Sequence, residues 1–267
     1  MPATSAGMTS VCEENTMPSS EYSLQNKVAV VTGGSSGIGA ASVRALAQGG
    51  AKVAVGYYKG RERAEKLIGE LPGTGHRAIY MHMEDSATLR AAADEVRKAY
   101  GRADVLVNSA GFTKPIPHAD LEALDDATFD AVMTANVRGV FAMIRAMAPL
   151  MRETGDATIV NISSISGFTG GGSSVVYCAS KGALDTMTLS LARALAPQIR
   201  VLCVSPAAVA TDFVAGRGRP QLEKIAQNTP LNRVMEPEDV AQAVLACVTH
   251  LRGATGTRIV VDNGRHL

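Results

Sequence analysis

Val28-Ala29-Val30-Val31-Thr32-Gly33-Gly34-Ser35-Ser36-Gly37-Ile38-Gly39 carries most of what this chain reveals about itself. Four apolar residues form a short run suited to a strand buried on both faces. Glycines end it, and the Ala-rich stretch Ala40–Gln48 that follows has the composition of a helix. Glycine is needed where a chain turns tightly and where its backbone must approach a pyrophosphate. The helix N-terminus then offers free N–H groups and the positive end of its dipole to that anion. Glycines alone fit any tight turn. Between a buried strand and a helix they point to a nucleotide, with Gly33, Ser35, Ser36, Gly37, Ile38 and Gly39 as its cradle.

The same alternation continues outward. Lys52–Val55, Arg77–Met81, Asp104–Val107, Thr158–Ile162, Arg200–Val204 and Arg258–Val261 are further short β-forming runs. Stretches such as Ser86–Tyr100 and Lys181–Leu195 between them are rich in helix-favouring Ala and Leu. Continuous rather than alternating apolar runs suit a parallel sheet covered by helices. The expected fold is therefore α/β: a single-domain, Rossmann-like, doubly wound parallel sheet of about seven strands with helices on both faces. No linker or repeat divides the chain after residue 25, so the domain is expected over 25–267. Residues 1–24 are Ser/Thr-rich and lack the pattern of a targeting segment; they are read as a disordered N-terminal extension. Met17 stays open as an alternative start.

Composition removes several classes. The 267 residues carry 26 Lys and Arg against 25 Asp and Glu, a formal net charge of +1. That balance gives no electrostatic reason to expect nucleic acid or an acidic membrane as partner. With 46% hydrophobic and 19% charged residues the chain can bury a full core. No apolar run approaches the ~18 residues of a spanning helix. Cys12, Cys178, Cys203 and Cys247 lack CxxC spacing, so metal and redox readings have no support and each is expected as a small core residue. A cytoplasmic location is expected.

The second strand should deliver the group that reads the adenosine ribose. A dinucleotide fold that prefers NAD places a carboxylate there to accept from the 2′-hydroxyl. This strand instead ends Gly56-Tyr57-Tyr58-Lys59-Gly60-Arg61, with no carboxylate before Glu62. Lys59 or Arg61 could pair with a 2′-phosphate, each charge-assisted bond contributing roughly 1.5–3 kcal/mol. NADP(H) is therefore the expected cofactor, bordered by Tyr57, Tyr58 and Lys59, with NAD(H) left open. At the end of the fourth strand, Asn108-Ser109-Ala110-Gly111 is a small-residue turn that can pass over the ribose, giving Asn108, Ala110 and Gly111 as candidates.

Tyr177-Cys178-Ala179-Ser180-Lys181 puts a phenol and an ammonium at i and i+4, on one helical face. Reduction of a ketone by hydride leaves a developing alkoxide that needs a proton. A phenol near pKa 10 is a poor acid-base group at neutral pH unless its phenolate is stabilised, and a neighbouring ammonium can do that. Near the end of the fifth strand Ser163 and Ser164 compete for the donor that would hold the carbonyl. Nucleophilic serine chemistry has no GxSxG elbow to support it.

The spacing TGxxxGxG, the Asn108–Gly111 turn and Tyr177-xxx-Lys181 resemble the short-chain dehydrogenase/reductase family, over about residues 25–267. The resemblance favours Ser164 over Ser163. It implies Asn136 as the residue that holds a water linking Lys181 to solvent, where back-bonding within its own turn is the plain alternative. Ser205-Pro206-Ala207-Ala208-Val209-Ala210-Thr211 resembles the segment that addresses the nicotinamide, through Pro206, Val209 and Thr211; Ala207 stands where the family has Gly. Ser109 and His82 are departures too, and His82 leaves the backbone at Met83 to meet the adenine. The expected catalytic set is thus Asn136, Ser164, Tyr177 and Lys181, with Tyr177 and Lys181 also contacting cofactor.

The likeness is to the 3-oxoacyl-(acyl-carrier-protein) reductase-like branch. Relatives there dock an acidic carrier with basic residues, whereas the aligned positions here hold Thr154 or Gly155 and Gln198, with Arg152 and Arg200 nearby. A small free carbonyl or alcohol is accordingly the expected substrate, with carrier-bound 3-oxoacyl groups as the alternative. A non-catalytic nucleotide-sensing protein is the rival from another class; such a protein would need the glycines but not Tyr177 and Lys181. Asp212–Arg233 is expected to border the substrate as a lid or as an ordinary helix and turn. The family likeness also implies a homo-oligomer, tetramer or dimer; whether Val140–Met151 serves an interface or the core stays open.

Overall fold

A computed structural model describes residues 22–267. Seven strands occur, β1 (Val28–Thr32), β2 (Lys52–Tyr57), β3 (Arg77–Tyr80), β4 (Val105–Asn108), β5 (Ala157–Ile162), β6 (Ile199–Pro206) and β7 (Arg258–Val261). All pair in parallel, in the order β3-β2-β1-β4-β5-β6-β7. β1, β4 and β5 are buried along their whole length. That is why their sequences read as unbroken apolar runs.

Two packed layers cover the sheet. On one face Val30, Leu106 and Ile159 meet α3 (Ser86–Tyr100), α5 (Gly139–Arg152) and α7 (Val175–Leu195). On the other, Ala29, Val31, Val107 and Val160 meet α1 (Gly37–Gln48), α2 (Arg61–Glu70) and α9 (Pro237–Thr249). Consecutive strand residues thus serve opposite layers. The sequence order turns back between β1 and β4, where a crevice opens beyond the strand ends.

Several boundaries differ from the sequence reading. Packing begins before residue 25: Leu24 is buried and its N–H donates to the Gly49 carbonyl. Helix α7 starts at Val175, not Lys181, because Ser174 caps it by accepting from the Tyr177 N–H. α4 (Asp126–Met133) runs into α5 through one π turn, Thr134–Arg138. α5 buries Met143, Ile144, Met147 and Met151 in the core while leaving Phe141 outside. A short α6 (Ser166–Thr169) follows β5, and α8 (Arg219–Ala226) lies within Asp212–Arg233. Cys178, Cys203 and Cys247 are buried and free; Cys12 and Met17 lie outside the described residues. Among the described residues no helix is long and apolar enough to cross a membrane.

Candidate active site

An open cleft of about 1790 Å³ lies across the strand ends at the β1/β4 reversal. A single small-ligand site spans roughly 300–1,000 Å³, so this one has room for a dinucleotide and a second molecule. Gly33, Ser35, Ser36, Gly37, Ile38, Gly39, Tyr58, Lys59, Met83, Ala110, Gly111, Ser164, Tyr177, Lys181, Pro206, Val209 and Thr211 all line it. Tyr57, Asn108 and Asn136, also expected at the site, do not.

The glycine loop is shaped by close approach. Gly33 has φ +64°, and a Cβ there would lie 2.9 Å from the Ala110 Cα; a Cβ on Gly39 would fall onto the Gly33 carbonyl. The Thr32 hydroxyl accepts from the N–H groups of Ser109 and Ala110, both at 3.1 Å, tying the β1 loop to the β4 turn. Ser36 begins α1 without a side-chain cap, which leaves first-turn N–H groups for an anion. These features fit a dinucleotide diphosphate. When bound, a nicotinamide would supply or accept hydride beside Tyr177.

At the adenosine end, Tyr58 and His82 stack with centroids 4.1 Å apart, and the Lys59 ammonium lies 5.4 Å over the Tyr58 ring. Arg61 is turned out of the cleft, where its guanidinium donates to Glu65 at 2.8 Å. Arg44 and Arg63 line the cleft instead. Sequence reading passed over both; Arg63 is the third residue of α2, where the helix placement brings it back over Gly60. Tyr57 packs against the core, edge-on to Tyr80. Asn108 pairs in register with Asn161 across the sheet, and its side-chain amide donates there at 2.9 Å.

At the other end, Ser163 and Ser164 part company. The Ser163 hydroxyl donates to Asp185 at 2.6 Å, a carboxylate that also binds Arg258 at 2.6 Å. Ser164 stays beside Tyr177, its hydroxyl 3.1 Å from Ser166 Oγ. Burial pushes the Tyr177 phenol up to about 12; the Ser164 hydroxyl and the Arg217 charge pull the other way. Burial likewise brings Lys181 down to about 8, opposed by Asp185. The Lys181 ammonium donates to the Ile162 carbonyl at 2.8 Å and lies 5.7 Å from the Tyr177 ring centroid. The bond to Ile162 thus holds the ammonium against the face of the ring, where a positive charge favours the phenolate, as the Ser164 hydroxyl and the Arg217 charge also do.

Asn136 is not back-bonded to its own turn. The π turn carries it out of helical register, so that Oδ1 accepts from the Phe112 N–H at 2.8 Å and Nδ2 donates to the Phe112 carbonyl and to Ser180 Oγ. It thereby links the β4 turn to α7, one residue before Lys181. Ala207 is absent from the residues with positive φ, so its methyl causes no backbone strain. Phe213, Val214, Arg217 and Ile225 come from Asp212–Arg233 to wall the cleft.

The profile of the family described as enoyl-(acyl carrier protein) reductase matches residues 33–266. A Streptomyces violaceoruber protein assigned as ketoacyl reductase 2 of the granaticin polyketide synthase is 39% identical, over 90% of this chain and 96% of its own. The 3-oxoacyl-[acyl-carrier-protein] reductase of Thermotoga maritima is 33% identical over 90% and 98%. A dehydrogenase/reductase structure from Sinorhizobium meliloti superposes with TM-score 0.84 at 34% identity, covering 92% of this chain and 98% of that one. With the glycine loop, Ser164, Tyr177 and Lys181 gathered around one cleft, this chain belongs to the short-chain dehydrogenase/reductase family of NAD(P)-linked oxidoreductases acting on CH–OH and C=O groups.

Proposed function

We propose that the protein interconverts a small carbonyl compound and its alcohol with NADP(H), using Asn136, Ser164, Tyr177 and Lys181. The observation that carries this reading is the convergence of Ser164, Tyr177 and Lys181 with the Gly33–Gly39 loop on one cleft. In the reducing direction the Ser164 hydroxyl donates to the substrate carbonyl and fixes it beside Tyr177. With its pKa raised by burial the phenol is protonated at neutral pH, and it gives that proton to the oxygen on which charge develops. Lys181 keeps a positive charge below the ring, which favours the phenolate left behind. Asn136 holds the Phe112 backbone against α7 and so positions this pair. A water beside it remains the proposed route by which Lys181 exchanges protons with solvent.

Preference for NADP(H) over NAD(H) is supported by Lys59 and Arg63 at the adenosine end, where β2 presents no carboxylate. Several relatives are named for acyl-carrier substrates, which makes such a thioester the second reading. A free substrate is preferred because Arg200 is turned inward, donating to the carbonyls of Cys247, Leu251 and Ala254 rather than facing a carrier. The reading carries with it a catalytic domain over 25–267, a cytoplasmic location and a homo-oligomer; exposed Phe129 and Phe141 support the last.

Tyr177→Phe tests the chemistry. Its expected effect is a loss of about a thousandfold in kcat, since general acid catalysis contributes typically 10²–10⁴-fold. NADPH titrated by its own fluorescence should still bind within about threefold. Substantial turnover by the variant sinks the role of Tyr177. Cofactor binding with no turnover of any carbonyl by the wild-type protein brings the nucleotide-sensing reading forward.

A further inference from the structure

Arg217, half-buried in the cleft wall, differs from the eight arginines of the chain that pair with acids. Arg44, Arg61, Arg97, Arg102, Arg219, Arg233, Arg252 and Arg258 each meet a carboxylate. Arg217 forms no ion pair among the described residues, and its Nε–H is buried without an acceptor. It nevertheless lines the substrate end of the cleft, where its charge is felt by the Tyr177 phenol. Asp212 and Glu238 border the same cleft, yet neither bonds to it. Partly desolvating a cation without a partner is costly, and an arriving anion offsets that cost. The neutral phenol of Tyr177 is no such anion.

The surroundings narrow the choice. Phe213 lies 6.0 Å from the Tyr177 ring, and Val214 and Ile225 extend the apolar wall. The diphosphate cradle lies beside Thr211, whose Cγ2 would be 3.1 Å from a Cβ on Gly37. A guanidinium with Nε and Nη free presents two parallel donors, the geometry that a carboxylate matches. We propose that Arg217 is a specificity-determining residue that binds a carboxylate on the substrate, a few atoms from the reacting carbon. The substrate class is then an oxo acid, or the matching hydroxy acid, with an apolar body against Phe213. This rests on the carbonyl-reductase reading above and deepens it.

The test compares free oxo acids with their methyl esters: 4-oxopentanoate, 5-oxohexanoate, 6-oxoheptanoate and 4-oxocyclohexanecarboxylate. For at least one pair the wild-type kcat/KM should favour the acid by about tenfold to a hundredfold, the value of a charge-assisted bond. Arg217→Met should bring that ratio close to one, with Arg217→Lys between. Calorimetry with the acids and the protein–NADPH complex should show the same loss of binding, with NADPH affinity itself retained. Acids and esters used equally well by the wild type, or no binding of any acid, overturn the proposal without needing a variant. So does a Met variant that keeps the preference, or one that loses NADPH as severely as the acid, which would give Arg217 to the cofactor diphosphate. Arg217-dependent binding of acids with no carbonyl reduced would retain the proposal and overturn the reductase reading instead.

Discussion

The two halves of the cleft are built by different physics. The cofactor half is made of backbone: Gly33 and Gly39 are there because no Cβ fits, and its cations, Lys59 and Arg63, are exposed. The substrate half is made of ionisable side chains, Lys181 buried and Tyr177 and Arg217 half-buried, whose charged forms burial disfavours. Exposed charges are screened and contribute little one by one, whereas charges in a low-dielectric site interact strongly and cost much to leave unpaired. The first half depends on shape and the second on electrostatics. Replacements should therefore act through sterics in one and through pH and charge in the other.

After the loss expected for Tyr177→Phe, the largest effect belongs to Gly39→Ala. Its methyl would press on the Gly33 carbonyl, so the loop must move. Overpacking of this kind costs about 1–3 kcal/mol, and cofactor affinity should fall at least tenfold with it. Urea melts and a fluorescence titration check both. A variant that binds NADPH normally would show that shape does not govern this half.

Lys181 offers a pH signature for the other half. Burial holds its folded pKa near 8, below the ~10.4 of an unfolded lysine. Between those values the unfolded chain binds more protons, so this group makes stability rise with pH by up to about 1.4 kcal/mol per unit. The penalty of burying the cation is fully present below pH 8. Lys181→Met removes the effect, so the stability of the wild type relative to the variant should climb from pH 8 to 10. Urea melts at pH 7, 8, 9 and 10 measure it; parallel curves would mean that Lys181 is not desolvated.

The smallest effect is expected at the exposed cations. Lys59→Ala combined with Arg63→Ala should weaken NADPH by about tenfold, with NADH unchanged and the preference eroded by added salt. Equal losses for the two coenzymes would separate these cations from the 2′-phosphate.

Much of the fold was legible because its signals are local. Val28–Val31, Asp104–Val107 and Thr158–Ile162 are apolar at every position but Asp104 and Thr158, Asn161 aside, and burial on both faces demands that. Glycine spacing announced the cradle, and Tyr177 with Lys181 needed only helical periodicity. Helix starts were less legible. Ser174 caps α7 two residues after the glycine run Gly170–Gly172, a signal visible in the sequence but outweighed there by the Ala- and Leu-rich stretch beyond Lys181.

Other choices turned on neighbours distant along the chain. Ser163 and Ser164 are adjacent and chemically identical, and both line the cleft; Asp185, 22 residues on, takes the Ser163 hydroxyl and leaves Ser164 beside Tyr177. Arg61 and Arg63 looked alike, and a Glu65 one helical turn away took Arg61. Asn136 acts through a π turn, for which no residue pattern stood out. Local sequence determined the strands, the glycine loop and the phenol–ammonium pair, because backbone sterics and helical repeat act over a few residues. Tertiary structure decided which serine is bound to a carboxylate and which cations and arginines line the cleft, because burial and ion pairing are settled by groups that meet only when the chain has folded.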